Sequence, residues 1–222
     1  MFAFPGGRID EQDLDMPERL WSGPPATAWQ EWFAAGSADE ARAHVVGLVR
    51  ELFEETGVLL AVPEPGRPAQ QPTEQERARV AHGGSLAQLL AARGLRLDAQ
   101  ALRPWSRWVT PRFERRRFDA WFFVAELPPG QQPRVATGES HEGRWERPAA
   151  AMAALRTGDL AMLPPTWWTM RQLAEFSDAH AVLEHPPPMT RYTVGWAVEG
   201  DEAVMVLPDD PRYPGDDPKE GE

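Results

Sequence analysis

The chain has 222 residues, 42% of them hydrophobic, which is long for one average domain and enough for a sizeable core. With no cysteine it excludes disulfides, thiolate zinc sites, iron–sulfur clusters and thiol nucleophiles, so any metal must be held by carboxylate, imidazole or carbonyl groups. A net charge of −11 argues against a nucleic-acid binder, and no apolar run approaches the ~18 residues needed to span a bilayer, so no membrane partner is expected and a soluble, cytoplasmic chain is.

Of the 23 basic residues only Lys219 is a lysine, so cationic sites will be guanidinium forks, which suit phosphate. A chain this acidic needs local arginines or divalent cations to handle a polyanionic substrate.

Phe2-Ala3-Phe4-Pro5-Gly6-Gly7 reads as the end of a strand entering a glycine turn. Residues 14–36, rich in tryptophan and broken by Pro-Pro and Gly, read as an insertion of short helices. The clearest helix begins at Ser37, which with Glu40 forms a capping-box pattern, and ends at Gly57. Its predicted buried stripe is Val45, Leu48, Val49 and Leu52.

Residues 63–103 form a second insertion: a Pro- and Gln-rich loop from Pro63 to Pro72, then a helical pair over Thr73 to Arg93 and Asp98 to Leu102. Strands are expected over Trp105 to Thr110 and Phe118 to Leu127. The second contains Trp121-Phe122-Phe123-Val124, apolar on both faces as a central strand would be. Val135 to Trp145 is a third extended segment. Pro148 to Leu155 and Thr166 to Phe176 are helical. Tyr192 to Val198 and Ala203 to Leu207 pair as a hairpin around Glu199-Gly200-Asp201. Residues 208–222 carry six acids and two bases and read as a disordered acidic tail, leaving 1–207 as one domain.

Chemistry concentrates in Arg50-Glu51-Leu52-Phe53-Glu54-Glu55-Thr56-Gly57-Val58. Glu51, Glu54 and Glu55, at i, i+3 and i+4, share one helical face and repel by a few tenths of a kcal/mol per pair. Convergent hard oxygen ligands are what Mg²⁺ or Mn²⁺ requires, although an acidic solvated face balanced by Arg50 has the same spacing.

The whole string resembles the second half of the box that defines Nudix hydrolases, and Phe4-Pro5-Gly6-Gly7 resembles the opening of the first half. In the family Arg-Glu begins fourteen residues after the opening glycine. Here Gly7 to Arg50 spans 43 positions, an insertion of 29. The family also has a Glu six residues after that glycine; counting back from Arg50, its place is taken by Arg42, which leaves that Glu's loop-supporting role unassigned, with Asp10, Asp13 and Glu40 as candidates.

The resemblance implies an α+β, Nudix-type α/β/α sandwich with a mixed central sheet, helical insertions and a C-terminal hairpin. It also implies hydrolysis of a nucleoside diphosphate linked to another group, with Mg²⁺ or Mn²⁺ as cofactor and a small-molecule nucleotide as partner. Glu54 and Glu55 would be metal ligands, Glu51 a ligand or the base, the Gly6 or Gly7 carbonyl a further ligand, and Arg50 the group that orients the carboxylates. An additional acid is expected from Glu142 or Glu139, with His141 between them a surface histidine.

Phe4 to Asp13, Trp108-Val109-Thr110-Pro111, Arg117-Phe118-Asp119 and Phe122-Phe123 are similar to Nudix enzymes that cleave coenzyme A and its thioesters. Arg112, Arg115, Arg116 and Arg117 are candidates for holding substrate phosphates, and Trp105, Trp108, Trp167 and Trp168 for stacking on adenine. Hydrolysis of ADP-ribose, a dinucleotide or an oxidised nucleotide is the alternative within enzymes; a non-catalytic Nudix-fold binding module is the alternative outside them. Because the family places strands before Phe-Pro-Gly-Gly, the N-terminal strand is expected to be missing and Met1 to be an internal methionine.

Overall fold

The computed structural model describes residues 1–68, 71–111, 115–134, 143–186, 188–200 and 202–213. They form two compact units, Phe4–Leu102 with Ala125–Trp145, and Met1–Ala3 with Arg103–Val124 and Glu146–Glu222. Among the described residues no helix is long and apolar enough to cross a membrane.

In the unit that starts at Phe4, a 3-10 turn at Glu11–Asp15 precedes β1 (Trp21–Ser22) and α1 (Ala26–Phe33). Trp29 and Phe33, one turn apart, are the buried residues of α1, and the Phe33 ring lies 4.7 Å from that of His44 on the next helix. That helix is α2 (Ala38–Thr56). Ser37 caps its start as the sequence predicts, Oγ accepting the Glu40 N–H at 3.1 Å, but the Glu40 carboxylate accepts the N–H of Gly36, at 2.7 Å, one residue before the position that a capping box uses. Gly57 closes it with φ 73°, a conformation that glycine adopts without strain.

The buried face of α2 differs from the predicted stripe. Val45, Val46, Val49 and Phe53 are buried, whereas Leu48 and Leu52 are only half-buried. Two apolar stripes overlap at Val45 and Val49, and packing selects the one that carries Phe53.

After α2 come β2 (Ala61–Pro63), α3 (Glu74–Ala81), α4 (Leu86–Arg93) and β3 (Leu95–Asp98). β3 is the middle strand, parallel to β1 and antiparallel to β2, with Leu97 opposite both Trp21 and Ala61. Leu95 and Leu97 face the core. The segment expected as a helix from Asp98 is a single 3-10 turn, Ala99–Ala101, because β3 leads into β4 (Leu102–Val109) with no room for more.

In the other unit β4 lies between β5 (Asp119–Ala125) and β6 (Thr190–Tyr192), and is parallel to β6. The apolar run of β5 therefore sits on an edge strand, half-buried, while β4 carries the buried Trp105, Ser106 and Trp108. The α5 (Pro148–Thr157), α6 (Pro164–Leu173) and α7 (Ala179–Glu184) helices follow β5. Trp108, Trp168 and Leu207 form a buried cluster to which Tyr192 adds its ring, 5.0 Å from that of Trp108. The predicted hairpin is present as β7 (Gly195–Glu199) and β8 (Glu202–Val206), with Trp196 opposite Met205.

The α+β class and the mixed strand pairing agree with expectation, although the described strands divide among three sheets rather than one. Phe2 makes one parallel bridge, to Met162. Beyond the hairpin, residues 208–213 are turned rather than loose: the Tyr213 hydroxyl donates to Thr193 O at 3.0 Å and accepts the Thr193 N–H at 3.2 Å.

Candidate active site

The loop that follows Gly7 lies on α2 at Gly47. A Cβ at Gly47 would stand 2.9 Å from Asp13 Oδ2 and 3.6 Å from Ile9 Cα, so only glycine lets the loop approach this closely. Asp13, 1% exposed, accepts the Asp10 N–H at 2.8 Å and meets Arg50, 2% exposed, from the next turn of the helix.

Arg50 uses its whole fork. Nε and Nη2 donate to the two Asp13 oxygens at 2.9 and 3.1 Å, Nη2 also donates to Arg8 O at 2.6 Å, and Nη1 donates to Glu51 and Glu54, both at 3.1 Å. Asp10 adds a fourth carboxylate at 3.6 Å. Burial works against the charge on Arg50, but hydrogen bonds and attraction to Asp13, then Glu54, outweigh it and raise its pKa. Burial is also the largest influence on Glu54 and raises its pKa above the ordinary value. Arg50 pulls in the other direction, while Glu51 and Asp10 push the pKa higher still.

Asp13 therefore fills the place that counting back from Arg50 left to Arg42. It lies six residues after Gly7, so the signal was in the sequence when counted forward from the glycine. Glu51 rests against the Gly7 backbone, where an added Cβ would fall 2.2 Å from its carboxylate.

The structure thus brings Gly7, Arg50, Glu51 and Glu54 together, with Glu55 on the same helix. Glu142, Glu139, His141 and Arg112 lie outside the described residues. Arg115 and Arg117 are exposed in the other unit, between β4 and β5, where Arg117 Nε donates to Thr110 O at 3.3 Å. Arg116 sits 5.1 Å over the Phe118 ring. Trp105 and Trp108 are no platforms for a base: they are 1% and 3% exposed, and Trp105 Nε1 donates to Gln172 at 3.1 Å. Trp168, 8% exposed, packs edge-on to Tyr192.

Residues 26–173 match the family model described as the NUDT19 Nudix domain. The chain belongs to the Nudix family. Its relatives include the human acyl-coenzyme A diphosphatase NUDT19, 30% identical over 210 residues that cover 80% of this chain and 52% of the human one. The Xenopus laevis protein of the same name is 24% identical across the whole of this chain and 69% of its own. The chain thus spans about half the length of the human relative. A crystal structure of a NUDIX hydrolase from Alicyclobacillus acidocaldarius superposes with a TM-score of 0.69 at 28% identity, covering 83% of this chain and 80% of that one.

Nudix hydrolases generally use divalent cations. Among the described residues no three acidic or histidine side chains stand at metal-holding separations; Glu51 and Glu54 converge on Arg50 Nη1 instead. The donor chemistry nonetheless fits a divalent cation. Asp10, Asp13, Glu51 and Glu54 surround a single guanidinium, so hard carboxylate oxygens outnumber the positive charge, and the Cβ-free surface of Gly7 admits the Glu51 carboxylate to the loop backbone.

Proposed function

We propose that this Nudix chain is a metal-dependent diphosphatase whose substrate is coenzyme A or an acyl-coenzyme A. The observation that carries the reading is the joining of the two halves of the divided box through Asp13 and Arg50, which presents Glu51 and Glu54 beside the glycine loop. The coenzyme A assignment draws support from the names of the human and Xenopus relatives and from the Phe4 to Asp13 sequence.

In this reading Glu51, Glu54, Glu55 and the Gly7 carbonyl would hold the cation, which when bound would withdraw charge from the bridging diphosphate. Arg50 shares one nitrogen between Glu51 and Glu54 and so fixes both carboxylates toward the same side of α2. Water adds to one phosphorus, its proton passes to Glu51 or Glu142, and the bridging oxygen departs with the other phosphate. The products are a 4′-phosphopantetheine derivative and adenosine 3′,5′-diphosphate. Arg112, Arg115 and Arg117 hold the substrate phosphates as guanidinium forks. The cytoplasm is the proposed compartment.

The test is a Mg²⁺-dependent assay of coenzyme A, its 3′-dephospho form and ADP-ribose, with product masses determined. Coenzyme A should have the highest kcat/KM, since a phosphate subsite left vacant costs transition-state binding. Equal values for the two coenzyme forms, or faster cleavage of ADP-ribose, would reject the assignment. Glu55→Gln should nearly abolish turnover with the fold intact; unchanged turnover at saturating Mg²⁺ would remove Glu55 from the site.

A further inference from the structure

An α-helix leaves its last four carbonyls without partners from within the helix, and in α2 these belong to Phe53, Glu54, Glu55 and Thr56. Each is satisfied. Phe53 O accepts the Gly57 N–H at 2.8 Å, and Thr56 O accepts the Arg134 N–H at 2.8 Å. Glu54 O and Glu55 O are both taken by one side chain: Arg77 donates Nε to the first at 2.9 Å and Nη2 to the second at 2.7 Å.

Arg77 comes from α3, outside the box, and is 3% exposed. Its own helix is well anchored. Thr73 and Glu76 cap its start reciprocally, and Arg93 from α4 grips Glu76. The peptide oxygens it holds belong to the two glutamates at the end of the carboxylate face. Moving that turn by a fraction of an ångström moves both side chains.

We propose that Arg77 is a positioning residue for Glu54 and Glu55: its fork, held rigid by α3, fixes the last turn of α2 so that both carboxylates are aimed at the cation. This rests on the metal reading given above. Outer groups that orient metal ligands typically carry 10–100-fold in affinity, and a guanidinium bridging two adjacent carbonyls is not reproduced by an ammonium, which lacks the planar fork.

Arg77 also lines a cleft of about 290 Å³ with Thr56, Gly57, Thr73, Gln131 and Arg134, so a small cation could reach the place that a shortened side chain leaves. That permits a test by chemical rescue on the full chain. Mn²⁺ binding is titrated by the spin resonance of the free ion for the unaltered chain, Arg77→Ala, Arg77→Lys and Glu55→Gln, with thermal unfolding recorded for each. Arg77→Ala should bind Mn²⁺ about 10–100-fold more weakly and regain much of the loss in millimolar guanidinium, but not in the same concentration of urea. Arg77→Lys should lie between the two, and it keeps the buried charge if the alanine variant does not fold.

Undiminished Mn²⁺ affinity in the lysine variant overturns the proposal, as does undiminished affinity, or a loss that guanidinium does not reduce, in a folded alanine variant. A loss in Glu55→Gln with none at Arg77 refutes the positioning role alone. No loss in Glu55→Gln refutes the metal reading beneath it.

Discussion

Asp13 and Arg50 are 37 residues apart in the chain, yet they form a bidentate pair at 2.9 and 3.1 Å in which neither side chain is more than 2% exposed. The insertion lies between them in sequence, yet the fold sets the glycine loop directly on the helix. A buried pair broken on one side leaves the other charge uncompensated, at a cost of about 3–5 kcal/mol. Arg50 keeps Glu51 and Glu54 on Nη1 and Arg8 O on Nη2, so Asp13→Ala, which strips only Nε of its partner, should lower the urea-unfolding free energy by less than that, about 1–3 kcal/mol. Asp13→Asn, which keeps an acceptor oxygen, should cost less. Equal stability of Asp13→Ala and the unaltered chain would show that the pair holds nothing.

Gly47 makes a prediction with an inverted sign. In an ordinary helix interior Gly→Ala stabilises by about 1 kcal/mol. Here the new Cβ would press on Asp13 Oδ2 at 2.9 Å, and Asp13 is pinned by Arg50 and by the Asp10 N–H. Gly47→Ala should destabilise the chain and slow hydrolysis. In an Asp13→Ala background the same change should turn neutral or stabilising, so a double-mutant cycle of urea midpoints reads the coupling directly. Additive effects would place Asp13 elsewhere.

Gly7 differs because what a Cβ would meet is the end of a flexible side chain. Gly7→Ala can be accommodated by moving the Glu51 carboxylate away from the loop. Unfolding free energy should stay within about 0.5 kcal/mol of the unaltered chain, while turnover falls about 10–100-fold. Full turnover would detach Glu51 from the reaction.

The helix that carries the glutamates was legible because its signals are local: Ser37 and Gly57 cap it where their residue types predict. The hairpin from Gly195 to Val206 was legible for the same reason. What escaped depends on contacts remote in sequence. Leu95-Arg96-Leu97-Asp98 alternates for only four residues, too few to outweigh helix-forming neighbours, and it is a central strand because β1 and β2 lie on either side. Trp121 to Val124 is more apolar than β4, yet β4 takes the centre of its sheet because β6 pairs with it at Ser106 to Trp108 on the side away from β5, while Asp119 of β5 meets the charge of Arg107. Within the site, Arg50, Glu51 and Glu54 could be read from the box. Asp13 depended on counting from the correct end, and Arg77 belongs to no motif.

Glu76 supports that last residue and links stability to pH. Hydrogen bonds from Arg93 hold its carboxyl down at about 2; burial opposes them, and bonds from the Thr73 N–H and hydroxyl add to them. In the unfolded chain the same group titrates near about 4.3. A carboxyl whose pKa is lower in the folded state stabilises the fold fully above the unfolded value, and that contribution is lost as pH falls toward the folded value. Glu76→Gln keeps an acceptor for the Thr73 N–H but loses the ion pair with Arg93, so it should be less stable than the unaltered chain at pH 7 by about 1 kcal/mol. The difference should shrink as pH drops from about 4.3 toward 2, because protonation removes from the unaltered chain what the substitution has already removed from the variant. Urea midpoints of both proteins across this range measure it. A difference that stays constant with pH would mean that Arg93 and Thr73 do not hold the carboxyl ionised, and the anchoring of α3 beneath Arg77 would then need another source.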